Sequence, residues 1–283
     1  MKKGIIPFPD SGLGNQIFIY IAGYVASEHL KCPLYLFNNT NCNNSHSNRD
    51  YKESIFKYLG NHINYPIHQI NENPYFCGYS YHHLNIFSGF EPWDFSSINE
   101  GMILRSYYQY YPPLIKYESD IRKKLLLGLK PYIDKVKSIL NYDFNTCAFL
   151  HVRRGDYVIF SDRHYLQPLS YYEYCMKQLL LLNPNVKKIL LISDDIDWVK
   201  SQYLFTNNYI CEVYENDDEL ESLSLMTLCK AGSICANSTF SWWGAFLGCY
   251  ENRNPVFVPE KWMLTTSKIN LFPDEWIIVK ENL

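Results

Sequence analysis

Short apolar runs alternate along the chain with stretches of helical periodicity. Residues 4–8 form the first apolar run and predict a strand. Ser11-Gly12-Leu13-Gly14-Asn15-Gln16 follows as a turn. Ile17, Phe18, Ile21, Val25 and Leu30 then recur at helical spacing, which predicts a helix to about residue 30. Pro33-Leu34-Tyr35-Leu36-Phe37 reads as a second strand. These segments make the start of a βαβ unit with a glycine turn between strand and helix. Residues 38–50 are rich in Asn, Ser and Cys and are expected to form a loop, and 51–60 predict a short helix. The stretch 61–112 is heavy in Tyr, Asn, His and Pro, and only 102–108 reads clearly as a strand. Helical spacing returns over 115–141, with a break expected at Pro131. The basic run Arg122-Lys123-Lys124 reads as a solvated helix face rather than a binding patch.

A second run of the same kind begins near residue 146. Strands are predicted at 146–152, 188–192, 233–236 and 255–258, and helices at 170–183, 195–204 and 219–230. Strands alternating with helices indicate parallel sheets. The expected organisation is therefore two α/β domains, 1–140 and 141–283, with a cleft between them.

Composition narrows the partners. Hydrophobic residues make up 47% of the 283, enough for a substantial core and opposite to a disordered chain. The formal net charge of -3 gives no reason to expect nucleic acid or an anionic membrane as partner, so an anionic ligand needs a local arginine cluster. Nine cysteines are scattered without a C-x-x-C pair, which argues against a structural zinc site and suits small buried thiols in a reducing compartment. No H-x-x-x-H or H-E-x-x-H pattern points to a catalytic metal, and His82-His83 reads as a surface loop. The N-terminal apolar run is interrupted by Pro7, Pro9 and Asp10, too short for a signal sequence, and no later run would span a bilayer. A cytoplasmic location is expected. Association with a membrane surface, through a partner or a lipid-linked acceptor, stays open.

Three segments that follow predicted strands carry the chemistry. The sharpest is His151-Val152-Arg153-Arg154-Gly155-Asp156-Tyr157. Two adjacent arginines at a strand end offer donor forks to a phosphate, and Gly155 permits close backbone approach. A structural Arg–Asp network is the competing reading of the same residues. Asn237-Ser238-Thr239-Phe240-Ser241-Trp242-Trp243-Gly244 offers hydroxyls and backbone N–H groups at a strand-to-helix junction, a setting that favours phosphate. Helix capping by Ser238 or Thr239 is an equal reading there, and the tryptophan pair reads as core. Asp194 and Asp195 can accept hydrogen bonds from a base or ribose, or cap a helix. In an open parallel sheet the carboxyl ends of strands line one crevice, so the three segments should converge. The Ser11–Gln16 turn lacks both the G-x-G-x-x-G order and a Walker lysine.

The N-terminal Gly-Leu-Gly-Asn-Gln-Ile-Phe, the His-Val-Arg-Arg-Gly-Asp-Tyr and the Asn-Ser-Thr-Phe-Ser-Trp-Trp-Gly-Ala segments, in this order, resemble the family 11 glycosyltransferases, the α1,2-fucosyltransferases. The similarity runs from about residue 4 to about residue 260. It implies a GT-B-like fold of two Rossmann-like domains, the N-terminal one on the acceptor side. It implies inverting, metal-independent transfer of L-fucose from GDP-β-L-fucose to an oligosaccharide hydroxyl. By position, Arg153 and Arg154 would hold the pyrophosphate, with His151 and Asp156 shaping that site. Ser238 and Thr239, after Asn237, would add donors to the phosphates, and Asp194 or Asp195 would lie near guanosine. Gly12, Gly14, Asn15 and Gln16 would form a loop facing the cleft. The sequence does not single out a catalytic base; Asp156 is a candidate, and a dissociative route that uses the leaving phosphate is open. The chain departs from the family in three places. Ser222, beside Glu221, stands where an acid usually precedes Leu-x-Leu-Met; Ser11-Gly12 replaces Gly-Gly; and Leu34-Tyr35-Leu36-Phe37 replaces Leu-x-Leu-Asp. The aromatic stretch 75–112 could serve the acceptor or simply fill the core. Rival readings are another nucleotide sugar as donor, a non-catalytic sugar- or nucleotide-binding module, and a Rossmann-like domain with a different phosphate ligand.

Overall fold

The computed structural model describes residues 2–38, 49–82, 90, 92–208, 210–248, 254–264 and 269–281. The chain divides into two compact α/β units, Met1–Lys130 with Ile269–Phe272 and Pro131–Lys268 with Pro273–Leu283. The division falls at Pro131, inside a helix, rather than near 140, and a short C-terminal stretch returns to the first unit. Most of the expected 38–50 loop, Cys42, His83 and Cys249 lie outside the described residues.

The first unit opens with β1 (Ile5–Pro7), α1 (Leu13–Leu30) and β2 (Tyr35–Asn38), followed by β3 (Asn61–Pro66), β4 (Ser80–His82) and β5 (Met102–Leu104). A parallel sheet of order β1-β5-β4 and a parallel pair β2-β3 meet through an Ile5–Leu34 bridge and an Ile5 N–H to Pro33 C=O bond of 2.8 Å. The helix α1 is apolar on nearly every face and buried along Leu13–Ser27, as the crossover of a βαβ unit must be. α2 (Glu118–Ile139) follows.

Several expectations for this unit are corrected. Residues 51–60 form turns rather than a helix, because their N–H groups bond three residues back (Ser54 to Tyr51, Lys57 to Ser54, Leu59 to Phe56) in place of a continuous i→i−4 ladder. The strand expected over 102–108 stops at Leu104; farther on, Tyr108 takes φ 51°, outside the β region. Helix α2 passes unbroken through Pro131. An interior proline costs about 3 kcal/mol, and the burial of Leu125, Leu129 and Val136 along one face offsets it. That face also takes in Arg122, which is buried beside Ile121 instead of solvated. His82 is buried too: its Nδ1 lies 2.7 Å from Tyr108 Oη and its Nε2 3.3 Å from Ser97 Oγ.

Where α2 crosses the 51–60 turns, a Cβ on Gly128 would lie 2.5 Å from Ile55 O and 2.6 Å from Ser54 O. These are backbone atoms and cannot swing aside. Gly128→Ala should therefore destabilise the protein by about 1–3 kcal/mol, read as a lowered urea midpoint with an unchanged m-value.

The second unit holds β6 (Cys147–Val152), α3 (Gly155–Ile159), α4 (Leu169–Leu182), β7 (Lys188–Ser193), α5 (Ile196–Ser201), α6 (Tyr203–Thr206), β8 (Cys211–Val213), α7 (Glu219–Leu228), β9 (Gly232–Ile234), α8 (Thr239–Gly248), β10 (Val256–Pro259) and β11 (Ile277–Val279). The helix expected over 195–204 is split in two at Gln202. All six strands are parallel, in the order β11-β10-β9-β6-β7-β8. The chain thus runs outward from β6 through β7 to β8, then returns to β9 on the other side of β6. That reversal is the topological switch point of a doubly wound sheet, and ligands bind outside the carboxyl ends of the strands there. The core under it is built from Leu150, Val152, Ile189, Leu191, Ile234 and Phe257 of the sheet against Tyr172, Cys175 and Leu179 of α4. Trp242 and Trp243 are fully buried, as core residues.

Candidate active site at the β6–β9 switch point

The carboxyl ends of β6, β7 and β9 bring the three chemistry-bearing segments together. Arg153 and Arg154 leave the end of β6, and Asp194 and Asp195 follow β7. Three bonds weld them. The Arg154 N–H donates to Asp194 Oδ1 at 2.8 Å, Arg153 Nη1 pairs with Asp194 Oδ2 at 2.8 Å, and Arg154 Nε pairs with Asp195 Oδ2 at 2.9 Å. Arg153 Nη2 also pairs with Asp156, on the first turn of α3. The structural Arg–Asp network is thus real. It does not use both arginines equally: carboxylates hold both terminal nitrogens of Arg153 but only the Nε of Arg154. Among the described residues the Nη1 and Nη2 of Arg154 have no partner.

Aromatic rings lie against both guanidinium groups. Arg154 sits 4.0 Å from the centroid of Trp198, and Arg153 5.4 Å from that of Tyr157. Tyr157 in turn donates its hydroxyl to the Asn237 carbonyl at 2.8 Å, which joins the end of β6 to that of β9, and it stacks on His164 at 4.1 Å. Burial raises the Tyr157 pKa, so the phenol keeps its proton.

Gly155 is required by close packing. A Cβ there would overlap Asp194 Oδ2, the oxygen that holds Arg153. Asp195 has two jobs, since its Oδ1 also accepts the Trp198 N–H at 3.1 Å and caps α5.

His151, the penultimate residue of β6, is buried, with Nδ1 unpartnered among the described residues. Burial first, and the Arg153 charge second, push its pKa down to about 3. It is therefore neutral at physiological pH. The unfolded imidazole binds a proton below about 6.5 and the folded one only near 3, so stability present above that window is lost as pH falls through it. His151→Gln should flatten the pH dependence of urea unfolding between those values, by up to about 1.4 kcal/mol per pH unit.

Around β9, the Asn237 amide donates to the Tyr165 and Trp262 carbonyls at 2.9 Å each, so this buried side chain braces the loop. Ser238 Oγ accepts the Phe240 N–H at 3.3 Å, a capping contact, and Thr239 is half-buried at the start of α8. Glu221, beside Ser222, is engaged within the second unit. It is buried on α7, where Lys135 pairs with Oε1 and Asn216 Nδ2 donates to Oε2 at 3.0 Å.

In the first unit, Gly12 caps α1, while Gly14, Asn15 and Gln16 lie on its first turn rather than in a free loop. Asn15 Nδ2 donates to Ser11 Oγ at 3.0 Å, Gln16 Nε2 to Ser11 O at 2.8 Å, and Gln109 Nε2 to Asn15 Oδ1 at 2.9 Å. Ser11 itself has φ 66°, a strained value for a residue with a side chain.

Trp198 and Gln109 lie outside the segments that the sequence marks, and Tyr157 stands in one of them without a role of its own. A tryptophan three residues after a capping aspartate is a usable signal, because that spacing returns it over the cap; Gln109 had none. No helix among the described residues is long and apolar enough to cross a membrane, and among them no group of three or more His, Cys, Asp or Glu is arranged to hold a metal ion.

The chain and its fold have known relatives. The chain is 28% identical to the O-antigen biosynthesis glycosyltransferase WbnK of Escherichia coli, over 94% of this chain and 97% of that protein. It is 27% identical to an alpha-1,2-colitosyltransferase of Escherichia coli over 47% of each. Its fold is similar to that of the fucosyltransferase NodZ from Bradyrhizobium, with a TM-score of 0.50 at 12% identity, covering 88% of this chain and 94% of that one. It is similar as well to POFUT1 in complex with GDP, with a TM-score of 0.50 at 11% identity, covering 90% of this chain and 97% of that one. Both likenesses support a GT-B-like architecture of two Rossmann-like units. The model of glycosyl transferase family 11 matches residues 90–276, more than half of the chain and the whole of the Arg153–Arg154 site, and the protein belongs to that family of glycosyltransferases.

Proposed function

We propose that the protein is an inverting fucosyltransferase that moves L-fucose from GDP-β-L-fucose to a glycan hydroxyl, forming an α1,2 linkage to a terminal galactose or a similar sugar. The observation that carries this reading is the free fork of Arg154 at the switch point, on a guanidinium whose Nε and flat face are already fixed. In the reaction the acceptor oxygen forms a bond to the anomeric carbon while the bond to the diphosphate breaks, and GDP leaves with the electron pair. Cationic donors preset at that diphosphate stabilise the charge as it develops, without requiring a metal. Asp156 is held by Arg153, which favours the leaving diphosphate over Asp156 as the acceptor of the hydroxyl proton. In this reading neutral His151 shapes the site from the end of β6, Ser238 and Thr239 add donors to the phosphates, and Asp194 and Asp195 fix the arginines beside guanosine.

The C-terminal unit is assigned the donor and the N-terminal unit the acceptor. None of the seven described cysteines is in a disulfide, which fits a cytoplasmic site of action. Linkage is tested by nuclear magnetic resonance of the product made from a terminal β-galactoside: an α-anomeric fucose on the galactose 2-hydroxyl supports the reading, and a β anomer or another position contradicts it.

A colitosyl donor is the second reading, favoured by the likeness to the alpha-1,2-colitosyltransferase. Colitose is fucose without one hydroxyl, so the two products separate by mass.

A further inference from the structure

We propose that Trp198 is a positioning residue for the transfer. Its indole forms the floor on which Arg154 lies, and it aims the two free guanidinium nitrogens at the diphosphate of the sugar nucleotide. The inference rests on the donor-site reading above and adds a residue to it.

Four contacts make the case. The Arg154 guanidinium carbon lies 4.0 Å from the Trp198 ring centroid, well inside the range where a cation is held by an aromatic face. Its Nε is pinned at 2.9 Å by Asp195 Oδ2. The other oxygen of that carboxylate accepts the Trp198 N–H at 3.1 Å. The Arg154 N–H is fixed in turn at 2.8 Å by Asp194 Oδ1. Asp195 thus links Arg154 to Trp198 by backbone and side chain at once, and the ring closes through the stacked face. A guanidinium held at its Nε edge and against one face retains a single open edge, Nη1 and Nη2, whose parallel N–H groups match two phosphate oxygens. Trp198 itself is half-buried, near the start of α5, on the donor side of the sheet. It packs from the rim against the core cluster that contains its fully buried neighbour Val199.

Trp198 thus has one contact with the core and one with Arg154, and the leucine substitution keeps the apolar packing while removing the flat face under the guanidinium. Preorganisation of this kind acts on binding of the diphosphate and on its charge in the transition state.

The test is a double-mutant cycle on GDP binding, measured by titration calorimetry on the full chain, with thermal melting to confirm the fold. Trp198→Leu should weaken GDP binding about five- to tenfold, the size of one partly desolvated cation–aromatic contact. Trp198→Phe, which restores a flat face, should stay within about twofold of wild type. In an Arg154→Ala background, Trp198→Leu should have no further effect. In turnover, Trp198→Leu should lower kcat as well as raise the donor KM, while the acceptor KM stays put. If Trp198→Leu fails to fold, Trp198→Met, which has volume without a flat face, takes its place. An equal loss in both backgrounds, or no loss in either, overturns the proposal and leaves the donor-site reading standing. Undiminished GDP binding by Arg154→Ala itself sinks both.

Discussion

Replacing Arg154 by alanine is expected to lower kcat/KM about a thousandfold while leaving the fold intact, since removal of a preset donor to developing negative charge costs about 10²–10³. Arg154 contributes one ion pair to the network, to a carboxylate that is half-exposed, and such pairs contribute about 0–1 kcal/mol to stability. The melting temperature should therefore move by only a few degrees. Arg154→Lys should recover little activity, because an ammonium cannot keep the Asp195 contact, the stacked face and a two-pronged edge at once. Steady-state kinetics and thermal melts on the same preparations check this. A fall in activity that tracks a fall in stability would return the arginine pair to a purely structural role.

The second large effect is expected from one methyl group. Gly155→Ala places a Cβ against Asp194 Oδ2, and that carboxylate orients both arginines, through Arg153 Nη1 and the Arg154 N–H. Moving it by an ångström misplaces the donors by a similar distance, which costs about 10²-fold in rate. The displaced carboxylate is the end of a partly exposed side chain, so the fold itself should lose little stability. Because the damage passes through Asp194, it should not be additive with loss of that side chain. Gly155→Ala in an Asp194→Ala background should have little further effect on kcat/KM, whereas independent roles would make the two losses multiply.

Those predictions rest on a site that was partly legible in the sequence. The alternation of short apolar runs with helical spacing placed β1, β2, β6, β7, β9 and β10, because these strands are buried along nearly their whole length and lie in short, mostly apolar runs. The edge strands did not read that way. Strand β3, Asn61–Pro66, is half-exposed and largely polar, and β8 and β11, at the two edges of the second sheet, are only partly buried, so neither stands out as an apolar run. Strand ends with chemistry on them were legible: Arg153, Arg154, Asp194 and Asp195 stand directly after runs that could only be strands, and a parallel sheet brings such ends to one side. How the charges pair was not. Local sequence leaves Asp156, Asp194 and Asp195 equivalent, and only the register Val152↔Ser193 sets Asp194 under both arginines. Pro131 misled for a related reason. Its helix-breaking tendency is local, while the apolar stripe of α2 that overrides it is tertiary. Arg122 and His82 read as surface because charge and polarity are the usual marks of exposure; both are buried, and His82 is held by Tyr108 and Ser97, distant in sequence.

The likeness to both a fucosyltransferase fold and a colitosyltransferase sequence leaves the transferred sugar as the central claim to test. Purified protein should be incubated with GDP-fucose, EDTA and a panel of terminal β-galactosides, and the products weighed by mass spectrometry. The account predicts a gain of one deoxyhexose on at least one acceptor, undiminished by EDTA and absent with Arg154→Ala. No deoxyhexose product from GDP-fucose on any acceptor, with transfer from a different nucleotide sugar instead, would contradict it.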